Sequence, residues 1–243
     1  MDVRDPDAHA RRQPVPRSLR GDWVTIGMVV PTKLPQRWSA GALGQVLAGI
    51  TRAVAALRVP AKPLHPHGDV VLGELRRTGL EPPTGVPWLD SPGTDIVLVR
   101  LSRAVGLPAP VPDIFGLALR VPVGQRHGDL LFASTGISRV GRFVLRPHFS
   151  PSRGAMTTLL PYRTPQGPTL LAVVPGSGDG FDVMCARVNG KWRQVGTLTL
   201  MSADADALVS FDPVRNTVPG LENYDFIRAL REPAYRIARR SRQ

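Results

Sequence analysis

The sequence predicts a mainly β chain with flanking helices (α+β): an eight-stranded antiparallel barrel, preceded by an N-terminal helix and followed by a C-terminal one. Three observations predict it. Eight short β-type runs follow one another between residues 69 and 201, divided by proline and glycine punctuation. No helix long enough for the crossovers that a parallel sheet requires is read between them. The last two runs flank Asn189-Gly190, a strong short hairpin signal because a type I′ turn needs positive φ at both central residues. Closing eight antiparallel strands into a barrel removes the exposed edges, and a barrel of that size has an interior that side chains fill or that borders one ligand.

Each element follows in order. Residues 1–22 carry Arg4, Arg11, Arg12, Arg17 and Arg20 with several prolines and few apolar groups, and are expected to form a mobile basic arm. Residues 23–243 are expected to form a single domain. The apolar run 23–30 is too short to span a bilayer. In residues 40–57, Leu43, Val46, Leu47, Ile50, Val54 and Leu57 recur at three- and four-residue steps, which predicts a one-sided helix capped by Ser39. The expected strands are 69–77, 95–102, 115–121, 128–135, 156–161, 169–174, 182–188 and 192–201. Residues 223–242 have helical spacing, with Asn223 as the cap and Pro233 expected to bend or divide the helix.

Composition limits the function classes. The apolar fraction is 42%, enough for a core. Lys plus Arg exceed Asp plus Glu by 31 − 19 = 12, which favours acidic partners without naming one. With Cys185 as the one cysteine, an internal disulfide and a cysteine-based zinc or iron–sulfur site are excluded. That cysteine usage, together with a charged start lacking an apolar leader, leads to the expectation of a reduced, cytoplasmic protein with no membrane span. There is no nucleophile elbow, phosphate loop, dinucleotide fingerprint or His-Glu-x-x-His pair. The Gly-rich 175–180 stretch reads as a loop between strands. Arg228, Arg231, Arg236, Arg239, Arg240 and Arg242 crowd the C-terminal helix, but 6% aromatics and the lack of a groove-entering motif argue against nucleic-acid binding. His65 and His67, at i and i+2, suit a non-heme metal with a third ligand from His127 or His148, although Pro66 between them disfavours a regular strand.

Three segments, in order, carry a family resemblance. The first is His65-Pro66-His67-Gly68 followed by Gly73-Glu74-Leu75. The second is Val99-Arg100-Leu101-Ser102, then Gly106, then Asp113-Ile114-Phe115-Gly116-Leu117-Ala118-Leu119-Arg120, followed by a strand starting at Asp129-Leu130. The third is Arg231-x-x-x-Tyr235, with Arg242 seven residues beyond the tyrosine. Together they resemble the heme-dependent catalase family, in particular its small catalase-like peroxidase relatives. The resemblance covers residues 62–145, and 225–242 in motif; residues 146–222 fit it by strand count and position.

The resemblance implies a catalase-like barrel holding heme b, with Tyr235 as the proximal iron ligand on the C-terminal helix. A phenolate is a hard anionic ligand suited to ferric iron, and free tyrosine ionises only near pH ~10, so a neighbouring charge must help. Arg231, one helical turn earlier, supplies it. Arg242, Arg100, Ser102 and Lys62 would hold the cofactor, Lys62 standing where the family has arginine, and Phe143 would pack on the porphyrin. His65 would assist O–O cleavage as general acid–base. The family's distal asparagine falls near Ala133-Ser134 and is absent, leaving Ser134 or Thr135 as the expected hydrogen-bond donor without an amide's two-way bonding.

The chain is about half a typical catalase, which implies a more open pocket and a smaller assembly, with a homodimer as the expected form. The expected activity is therefore peroxidase-like: reduction of hydrogen peroxide or, in preference, an organic hydroperoxide, at the expense of a small electron donor. The competing reading is a catalase-fold protein that has lost heme and serves as a hydrophobic-ligand carrier or interaction module.

Overall fold

A computed structural model of the chain describes residues 68–104, 110–176, 178, 180–204 and 209–240. The basic arm, the expected helix at 40–57, Lys62, His65, His67 and Arg242 lie outside the described residues. Among the described residues there are ten strands: β1 (Gly68–Arg77), β2 (Gly93–Arg103), β3 (Phe115–Val123), β4 (Arg126–Ser134), β5 (Met156–Thr157), β6 (Tyr162–Thr164), β7 (Gly167–Pro175), β8 (Gly180–Arg187), β9 (Arg193–Asp204) and β10 (Glu222–Asn223). A short helix α1 (Pro87–Asp90) joins β1 to β2, and α2 (Asp225–Arg240) follows β10.

Every pairing is antiparallel. Eight strands close the wall in the order β1-β2-β3-β4-β5-β7-β8-β9 and back to β1. β6 pairs with β7 beyond the end of β5, and β10 adds to β6 as an outer flap. All eight expected runs overlap barrel strands, so the expected eight-stranded barrel forms.

Strand alternation builds the core. Leu75, Val97, Val99, Leu117, Leu119, Leu130, Phe132, Val173, Val183 and Leu198 are buried and cluster inside the wall. Burying such side chains contributes roughly 1.5–3 kcal/mol each.

Three local expectations need correction. Of the run 156–161 only Met156–Thr157 is strand, and a separate strand, β6, begins just after it at Tyr162. Leu159 has φ of +58°, and the Leu160 N–H turns back to the Thr158 carbonyl across it. Pro161 next to it has no N–H for a ladder, so pairing stops after Thr157 and resumes at Tyr162. Asn223 does not cap α2: it belongs to β10, its amide nitrogen donates to the Pro213 carbonyl at 2.7 Å, and the first helical carbonyl is that of Tyr224, which accepts from the Arg228 N–H. Pro233 does not divide α2, which runs unbroken from Asp225 to Arg240; one missing N–H costs the helix a single ladder bond.

Candidate functional site

The outward face of β1–β4 is set by the register. Three cross-strand rows run across it: Leu72–Leu98–Arg120–Asp129, Val70–Arg100–Ala118–Leu131, and Gly68–Ser102–Gly116–Ala133. These positions alternate with the core residues of the same strands, so Arg100 and Ser102 stand on one face, turned away from the barrel interior. Glycine and alanine make the third row shallow. Among the described residues, chain neighbours aside, a Cβ built on Gly116 would meet only the Ser102 hydroxyl at 3.0 Å and the Phe132 carbonyl at 3.7 Å within 4 Å. The Ser102 hydroxyl itself makes a long contact to the Gly116 carbonyl, 3.4 Å.

The first row is covered by the segment that leads into α2. Asp129, 1% exposed, accepts two hydrogen bonds from Arg120 (2.7 and 2.9 Å), one from the Asp212 N–H (2.7 Å) and one from the Asn216 amide (2.8 Å). Arg120 in turn donates to the Ser210 carbonyl and lies over the Phe211 ring. A buried carboxylate is tolerated because both oxygens accept hydrogen bonds and a cation faces it. This knot fastens residues 210–216 to the barrel, and the chain then continues through β10 to α2.

On α2, Arg231 and Tyr235 are one turn apart. Arg231 donates to the Asn223 side-chain oxygen at 3.3 Å. Tyr235 is partly buried, and that burial pushes its phenol up to about 12; the Arg231 charge pulls the other way, while Asp212, the Tyr162 phenol and Asp129 push further up. The helix therefore stands close to the Asp129 edge of the outward face.

Tyr162, on β6, is 3% exposed, and burial raises its phenol as well, against the charge and hydrogen-bond donation of Arg231. That approach is loose: at normal hydrogen-bond geometry the hydroxyl has no partner among the described residues. Sequence spacing singles out neither Tyr162 nor the Asp129–Arg120 pair, because their partners lie many residues away.

Ser134 is not on the outward face, and its place there belongs to Ala133. Strand parity turns Ser134 toward the barrel interior, where it is 1% exposed; its hydroxyl accepts from the Phe115 N–H at 3.0 Å and donates to the Arg146 carbonyl at 2.7 Å. Its proton is thus already used in tying the loop after β4 to the wall. Phe143 lies partly buried in the 3-10 turn Gly141–Phe143. That turn is held by Arg142, which donates to the carbonyls of Arg187, Val188 and Gly190 and covers the Trp192 ring.

The two histidines offered as third metal ligands are far from one another. His127 is exposed near the start of β4, whereas His148 lies past its other end, paired with Asp113. Burial and Arg146 push His148 down, with the Thr135 backbone opposing. Among the described residues, no cluster of three His, Cys, Asp or Glu side chains could hold a metal ion. No helix among them is long and apolar enough to cross a membrane.

Comparison with known proteins places the fold. A fungal catalase superposes with a TM-score of 0.51 at 12% identity, the match covering 85% of this chain and 63% of that one. A bacterial catalase gives 0.53 at 14% identity, covering 90% and 63%. Catalase A from Saccharomyces cerevisiae gives 0.52 at 12% identity, covering 89% and 66%. The fold is catalase-like, and the chain spans less than two thirds of the length of each of these catalases. No family model matches the chain, and no curated protein matches it in sequence.

Proposed function

We propose that this protein binds ferric heme b between the outward face of β1–β4 and helix α2, and reduces a hydroperoxide there at the expense of a small electron donor. The observation that carries the reading is the joint placement of two donor sets. Arg100 and Ser102 stand on a shallow face of Gly116, Ala118, Leu131 and Ala133, and Arg231 and Tyr235 stand on the helix beside the Asp129 edge of that face. The residues fit the group. Tyr235 would ligate iron as a phenolate, Arg100 would pair with a heme carboxylate by a bidentate contact, and the row of small residues leaves room for a flat apolar ring. Lys62 and Arg242 are proposed as further carboxylate partners and Phe143 as a ring contact. Heme, when bound, supplies a redox-active iron at which a peroxide O–O bond is reductively cleaved.

The chain's own groups would do the rest. With its phenol pushed up to about 12, Tyr235 stays protonated at neutral pH until a cation arrives to stabilise the anion, so iron binding releases a proton. Arg231 shares that stabilisation from one turn away. His65 would accept the proton of the hydroperoxide and return it to the leaving oxygen. Ala133 offers no amide to orient a small polar peroxide, and Leu131, Val70 and Ala118 around it suit an alkyl chain. That composition favours an organic hydroperoxide over hydrogen peroxide.

The experiment is a hemin titration of the full chain followed by absorption, then a challenge with cumene hydroperoxide and a phenolic donor. The expected result is a Soret band saturating at one hemin per chain, donor oxidation on addition of the hydroperoxide, and loss of the ligated spectrum in Tyr235→Phe. A protein that ignores hemin sinks the proposal and leaves a barrel whose apolar outer face carries another ligand.

A further inference from the structure

We infer that the loop after β4, together with the β8–β9 hairpin turn, is a docking surface for an anionic lipid bilayer. Ile137 and Val140 enter the boundary of the acyl chains, and the cations around them meet the headgroup phosphates. The chain lies on the membrane through this surface without crossing it, and the surface does not depend on heme.

The loop is short and closed. The Gly136 N–H donates to the Gly141 carbonyl at 3.0 Å, the Arg142 N–H to the Ser138 carbonyl at 3.1 Å, and the Gly141 N–H to the Ser138 hydroxyl at 2.9 Å. So held, Ile137 is 40% exposed and Val140 47% exposed, with Arg139 next to Val140. Single apolar groups scattered over a surface are ordinary, whereas two at the tip of one closed loop beside a cation form a pattern. A loop already fixed in this shape loses little conformational freedom on docking.

The cations come from both segments. Arg142 fastens the loop to the hairpin by donating to the carbonyls of Arg187, Val188 and Gly190, and the Trp192 indole N–H donates to the Ile137 carbonyl at 2.8 Å. Arg139, Arg187 and Lys191 are exposed and make no ion pair among the described residues. Neither segment has an acid to offset them, because residues 130–178 and 183–203 contain no Asp or Glu. Arg142 is 2% exposed; burial and the Arg139 charge both push its guanidinium down, and the groups that accept from it are carbonyls.

Aliphatic tips and uncompensated cations together select the partner. A second copy of this chain would bring the same excess of positive charge, +12 overall. A nucleic acid would use the cations but gain nothing from isoleucine and valine, and the Trp192 ring beside them is covered by Arg142 at 4.6 Å, so it offers no free face to a base. An anionic bilayer uses both features, since buried apolar area and cations near the headgroups each add to the affinity.

The test is co-sedimentation of the full chain with phosphatidylcholine vesicles, with and without about 30% phosphatidylserine. Wild type is expected to bind the anionic vesicles roughly tenfold or more tightly than the neutral ones. Adding roughly 0.5 M salt should release it. Arg139→Ala with Lys191→Ala is expected to weaken binding about thirtyfold, roughly fivefold for each cation. Ile137→Ser with Val140→Ser is expected to weaken it about tenfold. All four positions are exposed, so both double variants should melt at the wild-type temperature. Arg126→Ala with Arg215→Ala removes the same charge from two other exposed positions and should change binding less than about twofold.

Wild type that ignores anionic vesicles overturns the inference. So does a control pair as damaging as the Arg139 and Lys191 pair, since net charge alone then explains the binding. An Ile137 and Val140 pair that binds as wild type also overturns it, because the cations would then be meeting an anion free in solution or along a nucleic acid.

Discussion

Cys185 illustrates what burial alone does to a single group. It sits inside the barrel wall on β8, 1% exposed, and its thiol is pushed up to about 11, chiefly by desolvation, against a smaller downward pull from Arg193. The unfolded chain releases this proton near pH 9, the ordinary value from which the folded thiol is raised. Between that value and about 11 the folded state therefore binds more protons than the unfolded state, and stability falls as pH rises through the window. Below it the contribution is fully present. A shift of about two units corresponds to about 3 kcal/mol. The expected outcome is a decline in urea-unfolding free energy from pH 9 to 11 that is markedly shallower in Cys185→Ala. A thiol reagent should label the native protein at pH 8 only through its rare unfolded molecules. Equal alkaline limbs in the two proteins would contradict the assignment.

Residue identity was readable here and residue direction was not always so. Arg100 and Ser102, two apart on a strand, reveal from spacing that they share a face. Ala133 and Ser134 are adjacent, so their assignment depends on register, and register is settled by partners on β3.

At the scale of elements, punctuation made the strands legible. Proline and glycine bound each run, and period-two burial fills them, so the expected barrel strands are present with ends shifted by a few residues. The exceptions have identifiable causes: a positive φ at Leu159, and the pairing of β6 with β10 at a separation of 59 positions, as in Arg163 with Glu222, which leaves no periodic trace in the sequence. The same nonlocality hid the Tyr162–Asn223–Arg231 cluster and the Asp129 knot.

One glycine shows how tightly the elements depend on each other. Gly196 on β9 pairs with Arg77 of β1 on one side and Val183 of β8 on the other, beside a register irregularity. A Cβ there would lie 2.1 Å from the Arg76 carbonyl oxygen and 2.8 Å from the Arg77 Cα. Backbone cannot yield as a flexible side chain can, so the strands must part. Gly196→Ala is expected to cost about 3 kcal/mol. Urea unfolding should show its midpoint lowered by roughly 1 M. A midpoint within ~0.2 M of wild type would mean that β9 can shift at this point.

For the whole molecule, the described residues keep a closed barrel and the helix α2, and the match spans 63–66% of the length of the catalases the chain superposes on. A closed wall is rigid on its own, so a site on its outer face can persist when surrounding segments differ. On the proposed heme reading, the choice of peroxide turns on the few outward positions, and Ala133 is the one most open to test. It shares its row with Gly116 and Ser102, and a side-chain amide placed there would extend over the face with both a donor and an acceptor.

Ala133→Asn is therefore expected to raise kcat/KM for hydrogen peroxide in the hemin-loaded protein by about tenfold, about 1.4 kcal/mol of transition-state stabilisation. The rate with cumene hydroperoxide should fall, because the apolar face is interrupted. Ser134→Asn is the control. Its larger side chain points into the wall and would break the bonds to the Phe115 N–H and the Arg146 carbonyl, so it should lower stability by about 2 kcal/mol without any gain toward hydrogen peroxide. The two substitutions are one residue apart in the sequence and on opposite sides of the sheet. If they behave alike, the outward face of β1–β4 is not where peroxide binds, and the site must be sought inside the barrel.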